Sequence, residues 1–171
     1  MKKYFFISLL LFVIPGWKYA SYPLPEKLPS FTFYNLAGDT LSTDSLRGKI
    51  VYVNFWASWS INSRKLNRQQ LELYEKYRQK SLRKKMAIEF VSISLDIRKD
   101  LFKAAVGQDD LHWPNNVCDF KGWSSEYVAL FNVKSLPSNY IFGPDGKLIG
   151  HNVWGNRLDS LIQQQYALVS N

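Results

Sequence analysis

The stretch "NFWASWSINSRKL" at residues 54–66 places two hydroxyl side chains, Ser60 and Ser63, three residues apart where an apolar run gives way to a basic amphipathic one. A strand-to-helix junction of that kind sets its residues against the unpaired N–H groups and the positive dipole end of a new helix. An acidic group there is held as its anion. A serine there acts as a cap, its side-chain oxygen accepting a backbone N–H. A nucleophilic serine would also need a general base within hydrogen-bond reach. His112 and His151 are the two histidines of the chain, and neither stands in a recognisable triad context. Capping is the expected role of Ser60.

The remaining reactive residues are sparse. Cys118 is the single cysteine, so no internal disulfide forms, and its expected role is that of a small, partly buried hydrophobe. His112, beside Trp113-Pro114, reads as a satisfied or surface histidine rather than a metal ligand. Asp96, Asp100, Asp109, Asp110 and Asp119 show no calcium-loop spacing, and no glycine-rich phosphate loop follows a strand. No metal and no cofactor is expected. The basic run "KYRQKSLRKK" (76–85) reads as a solvated helix face, and no nucleic-acid-binding module accompanies it.

The elements that must position these residues follow from periodicity. A lead-in with three prolines, "SYPLPEKLPSFTF" (21–33), is extended. It is followed by a strand, a Gly-Asp turn, a short strand and one Ser/Thr/Asp-rich helical turn. "KIVYVNFWA" (49–57) is a strand buried on both faces. From Ser60 to about Lys80 the pattern is helical, with Leu66, Leu71, Tyr74 and Tyr77 as its apolar side. "AIEFVSISLD" (87–96) is a second buried strand, and "RKDLFKAAVGQ" a short helix ending near Gly107. "LHWPNNVCDFKGW" reads as irregular, and "SSEYVALFNV" as a serine-capped helix. Two strands joined by Gly-Pro-Asp-Gly form a hairpin, and a C-terminal amphipathic helix ends the chain. Hydrophobic residues at 46% of 171 suffice for one globular domain, and no repeat or second domain is visible.

The N-terminus, "MKKYFFISLLLFVIPGWKYAS", has two lysines, an apolar run from Tyr4 to Ile14, a Pro-Gly break and small residues at Ala20-Ser21. That layout predicts a signal peptide over residues 1–20 and export. The run is short for a bilayer, which takes about 20 residues, and no later segment is long and apolar enough, so no integral membrane domain is expected. Lys2, Lys3 and Lys18 belong to this segment; without them the 22 basic residues become 19 against 14 acidic. The organisation expected is a signal peptide, a lead-in over 21–29 and one domain over 30–171.

Three segments at their spacings carry a resemblance: "GKIVYVNFWASWSINSRKL" (48–66), "IEFVSISLD" (88–96) and "LPSNYIFGPDGKLIG" (136–150). Together they resemble exported bacterial thioredoxin-like proteins of the TlpA/ResA type, thiol-disulfide oxidoreductases in the wider redoxin group. The resemblance implies an α/β thioredoxin-like fold, a central mixed sheet flanked by helices on both faces, in the periplasm or cell envelope of a bacterium. In that family the strand ends in Trp-Cys-x-x-Cys. The first cysteine, at the helix N-terminus, attacks a partner disulfide as its thiolate, and the second resolves the mixed disulfide. Trp59 matches the tryptophan, Ser60 and Ser63 match the two cysteines, and Pro137 matches a proline that the family holds in cis, facing the pair. Asn54 stands where cytoplasmic thioredoxins carry a buried acid. A serine hydroxyl has neither the acidity nor the sulfur valence for disulfide exchange.

What the resemblance leaves intact is a docking surface. The backbone of Leu136, just before the proline, would pair with an extended peptide as an added strand, with Trp59, Ile61 and Pro137 as an apolar rim. Three readings stay open at this point: a redox-inactive module that binds an extended peptide or envelope protein, a Cys-to-Ser form of an active thiol-disulfide reductase or isomerase, and an architectural domain without a site.

Overall fold

The computed structural model describes residues 23–83 and 87–169; the expected signal peptide lies outside them. In chain order the elements are β1 (Thr32–Tyr34), β2 (Thr40–Ser42), a 3-10 turn at Thr43–Leu46, β3 (Ile50–Trp56), α1 (Ile61–Arg83), β4 (Ile88–Ser94), α2 (Lys99–Gln108), β5 (Asn115–Val117), a 3-10 turn at Gly122–Ser124, α3 (Glu126–Phe131), β6 (Ser138–Phe142), β7 (Leu148–His151) and α4 (Gly155–Val169). β1 and β2 form a small antiparallel pair. The main sheet runs β5-β4-β3-β6-β7, with β3, β4 and β5 parallel and β6 and β7 antiparallel.

Every residue of β3 is buried, as its unbroken apolar run predicts. Alternate side chains leave on opposite faces. Ile50, Tyr52 and Trp56 meet Tyr77 of α1, Phe102 of α2 and Leu158, Ile162 and Tyr166 of α4. Val51, Val53 and Phe55 meet Phe33 of β1 and Tyr127 and Phe131 of α3. Helices thus cover both faces of a mixed sheet. Each large side chain buried this way contributes about 1.5–3 kcal/mol, whereas an exposed ion pair such as Arg47–Asp44 is screened by water, so burial holds the layers together.

Two segments differ from the sequence reading. "LHWPNNVCDFKGW" contains β5, the edge strand beside β4. Pro114 and two asparagines disfavour a strand locally, but Asn116 Nδ2 donates to the carbonyls of Leu111 and Trp113, both at 2.8 Å, which fixes the turn feeding it. In α1 the residues predicted as the apolar side, Leu66, Leu71 and Tyr74, are half-buried. The fully buried stripe is Ser63, Asn67, Gln70 and Tyr77. The helical period is as expected but the buried stripe is mostly polar, because the first turns of α1 cover Asn54, whose Nδ2 donates to Asn67 Oδ1 at 2.8 Å.

The Gly-Pro-Asp-Gly turn forms as predicted. Gly143 N–H donates to Lys147 O at 2.9 Å, and Gly146 takes a φ of +77°, a left-handed conformation that favours glycine. The proline-rich lead-in lies along β7, with Leu28 N–H on Gly146 O (2.8 Å) and Leu148 N–H on Glu26 O (2.9 Å). β7 packs closely under α4 at Gly150. A methyl there would stand 2.8 Å from Leu161 Cδ1, 2.9 Å from Ile141 Cγ2 and 3.1 Å from Val153 Cγ2. Two of those neighbours are β-branched and stiff. Gly150→Ala is expected to lower stability by about 1–3 kcal/mol in chemical denaturation.

Candidate functional site

The β3–α1 junction is built by hydrogen bonds that turn the chain sharply. Ser60 N–H donates to Ala57 O at 3.1 Å, and Arg64 N–H donates to Ser60 O at 3.0 Å. Ser60 caps α1 as expected: its Oγ accepts the N–H of Ser63 at 3.4 Å. The Ser63 hydroxyl also donates to Ser60 Oγ, at 2.8 Å. Ser60 is half-buried and Ser63 fully buried, because the cap lies outside the first turn and Ser63 starts the stripe facing the sheet. On either side of Ser60, Trp59 is 57% exposed and Ile61 84% exposed.

Sheet register brings the second segment to the same end. Ser138 pairs with Phe55, so Pro137 lies beyond the end of β3, where the serine-bearing loop leaves it. The Leu136–Pro137 peptide bond is cis. Leu136 is half-buried, and neither its N–H nor its C=O is engaged by another described residue. The loop after β7 braces this end. Asn152 Oδ1 accepts from Ser138 Oγ (3.0 Å) and Asn139 N–H (3.2 Å), and Asn139 exchanges hydrogen bonds with Val153 N–H (3.0 Å) and O (2.9 Å).

In the sequence Asp96 is one of several scattered acids; the structure makes it a junction. It is 1% exposed, and its carboxylate accepts from Ser58 N–H (2.9 Å), Ser58 Oγ (2.6 Å) and Ser94 Oγ (2.6 Å). Its backbone carbonyl accepts the Cys118 thiol at 3.3 Å. The loops after β3, β4 and β5 are joined at this one residue. The signal for it is a carboxylate at the end of a buried strand, in "SISLD", where an acid must find donors.

A second acid anchors the first turns of α1. Asp109 receives Arg64 Nε and Nη2, each at 2.8 Å, and Arg68 Nη2 at 3.0 Å. Burial works to raise its pKa, but the two guanidiniums outweigh it and hold the carboxyl below the usual range. His112 is satisfied, as predicted, by Glu75 Oε1 (2.5 Å) and Asp110 O (2.9 Å). His151 packs on Tyr140, ring centroids 4.7 Å apart, and burial lowers its pKa. Neither histidine hydrogen-bonds to Ser60 or Ser63, so neither serves as their base. Burial pushes the Cys118 thiol up to about 11, which keeps it protonated and unreactive at neutral pH. Among the described residues no group of three or more His, Cys, Asp or Glu is arranged to hold a metal ion. A groove of about 490 Å³ between α1 and the start of α4, lined by Leu66, Leu73, Trp154 and Leu158, includes none of the residues at the serine face.

An open α/β sheet of this topology, with a capped helix leaving the central strand opposite a cis-proline, defines the thioredoxin class of fold. The sequence profile of the thioredoxin-like family matches residues 48–148. The chain belongs to that family. A thioredoxin-like protein of Bacillus subtilis (strain 168), YneN, is 31% identical over 157 residues, covering 85% of this chain and 86% of its own. The thiol-disulfide oxidoreductase ResA of Bacillus cereus is 29% identical over 124 residues, or 72% of this chain, which spans 66% of that relative's length. The solved structure of a thiol-disulfide oxidoreductase from Bacteroides fragilis superposes with a TM-score of 0.71 at 30% identity, covering 81% of this chain and 98% of that one.

Two measurements check the bracing. Asp109→Asn is expected to cost about 1–3 kcal/mol of stability at neutral pH. Because the native carboxyl titrates below its unfolded value of about 4, the difference should persist above that pH and disappear as pH falls through the native pKa, in urea titrations across pH. Asp96→Ala removes the acceptor of three hydrogen bonds and should destabilise by about 2–3 kcal/mol, with faster amide exchange at Ser58.

Proposed function

We propose that this chain is a redox-inactive member of the thiol-disulfide oxidoreductase group that binds an extended peptide or envelope protein at the face formed by Trp59, Ile61, Leu136 and Pro137. The observation that carries the reading is Leu136. A half-buried residue with a free N–H and a free C=O, beside exposed apolar side chains at the same end of the sheet, suits pairing with an added strand. Serine at both thiol positions removes the exchange chemistry and leaves this surface in place. The apolar run after Lys2 and Lys3 supports export to a bacterial periplasm or cell envelope. No described helix is long and apolar enough to cross a membrane.

One observation favours a second reading, the Cys-to-Ser form of an active reductase or isomerase. The two hydroxyls keep the layout that exchange needs, an accessible first group at the helix cap and a buried second group 2.8 Å away. A disulfide-reductase assay separates the outcomes. The chain as it stands is expected to give no turnover, and Ser60→Cys/Ser63→Cys is expected to gain it. Turnover by the unaltered chain that stops on alkylating Cys118 would overturn the inactive reading. In titrations with labelled extended peptides, Ile61→Asp should bind about tenfold more weakly or worse. Unchanged binding would remove this face from the mechanism.

A further inference from the structure

Buried polar side chains in folded proteins are nearly always hydrogen-bonded, so one that is not calls for a partner. Gln70 is 3% exposed, and neither its Nε2 nor its Oε1 has a hydrogen-bond partner among the described residues. Its neighbour in the buried stripe, Asn67, differs, because Asn67 Oδ1 accepts from Asn54. Packing gives no reason for an amide at position 70. Leaving both ends unmet costs stability, and a methionine would fill nearly the same space without that cost. Gln70 lies in the wall of the groove between α1 and the start of α4. That groove holds about 490 Å³, within the range of about 300–1,000 Å³ usual for small-molecule sites.

The walls have the make-up of such a site. On α1, Leu66, Gln70 and Leu73 follow helical spacing and share one face, with the amide between the two leucines. Opposite them α4 brings Leu158, fully buried, and the chain entering α4 brings the half-buried indole of Trp154. The two walls are tied together. Lys76 Nζ of α1 meets the Asp159 carboxylate of α4 at 2.6 Å, and the Tyr77 hydroxyl donates to the same carboxylate. Apolar walls with a few placed polar groups hold and orient a small molecule.

The unmet amide defines the chemistry of the ligand. Its N–H donors and its carbonyl stand side by side, and a group with an acceptor beside a donor satisfies both at once, as when glutamine pairs with the edge of adenine. A carboxylate would meet the N–H and set its charge against Oε1, and a cation would do the reverse. The ionised groups of the lining, Glu72 and Asp159 against Lys76, sum to a negative charge, which also disfavours an anion. The leucines and the indole suit a flat apolar body. We propose that this groove is a second binding site, separate from the face at Leu136, for a small neutral molecule that carries an amide edge, N–H beside C=O, on a planar ring. The amide edge pairs with Gln70, and the ring lies among Leu66, Leu73 and Trp154. The terminal torsion of glutamine is broad, so the Gln70 amide turns to meet the ligand from where it stands. The inference goes beyond the peptide-binding reading and does not depend on it.

The test uses the isotope-labelled full chain and four probes: benzamide, uracil, acetophenone, which lacks the N–H, and benzoate, which replaces it with a charge. In two-dimensional NMR titrations benzamide or uracil should shift the Gln70 side-chain and Trp154 indole resonances. The tighter of the two should bind about tenfold more tightly than acetophenone or benzoate. Gln70→Met should keep its circular dichroism, unfold at the same or a higher urea concentration, and bind benzamide and acetophenone alike. Trp154→Ala should weaken benzamide about tenfold and leave peptide binding at the Leu136 face unchanged. Equal affinity of the unaltered chain for the amide probes and acetophenone, or a preference that survives Gln70→Met, would overturn the amide ligand. A lower urea midpoint for Gln70→Met would show that the fold itself satisfies the amide and would overturn the site. So would shifts confined to Ser60 and Leu136, or none at all, whatever the peptide titrations give.

Discussion

Strand β3 has no solvent face and no free edge, and the organisation of the site follows from that constraint. Its side chains are packed against α1, α2 and α4 on one side and against β1 and α3 on the other. Its backbone is paired with β4 and β6. A strand fixed in all these directions can deliver a loop at its end with little freedom. The same register that sets Phe55 against Ser138 places the Leu136–Pro137 segment at the end where Trp59 and Ser60 emerge. Register in such a sheet is strongly specified, since slipping by one residue would exchange its two buried faces.

Polar groups complete what burial begins. At the carboxyl ends of the parallel strands the backbone leaves the ladder, and its donors need other partners. Asp96 supplies acceptors for Ser58 and Ser94 and joins three loops, while Asp109 gathers two arginines from α1. Each acid is buried and would be costly there without its donors. The platform beneath the exposed Trp59 is thus held by the same interactions that make the acids tolerable, which is why a surface rich in exposed apolar groups can keep a fixed shape.

The two serines at the start of α1 satisfy each other and the helix terminus. Ser60 satisfies the helix terminus through its cap, and Ser63 satisfies itself by donating to Ser60. Neither needs sulfur to be structurally content. Two hydroxyls thus complete the junction between β3 and α1. Cys118, the sulfur the chain does possess, is engaged in packing and in a bond to the Asp96 carbonyl.

The amino-acid sequence by itself determined the buried strands, the capping role of Ser60, the Gly-Pro-Asp-Gly hairpin and the resemblance carried by Trp59 and Pro137. All of these are local signals, written in apolar period, turn residues or spacing along the chain. It did not disclose β5, because Pro114 and the paired asparagines oppose a strand locally and only the neighbouring β4 edge imposes one. Nor did it disclose the polar stripe of α1, because apolar period carries no signal for a buried amide, whereas Asn67 is buried to meet Asn54 across the layer. The joining of Ser58, Asp96 and Cys118 and the free backbone at Leu136 were decided by tertiary structure alone. Each depends on residues tens of positions apart, brought together only when β3, β4 and β6 take their places in one sheet.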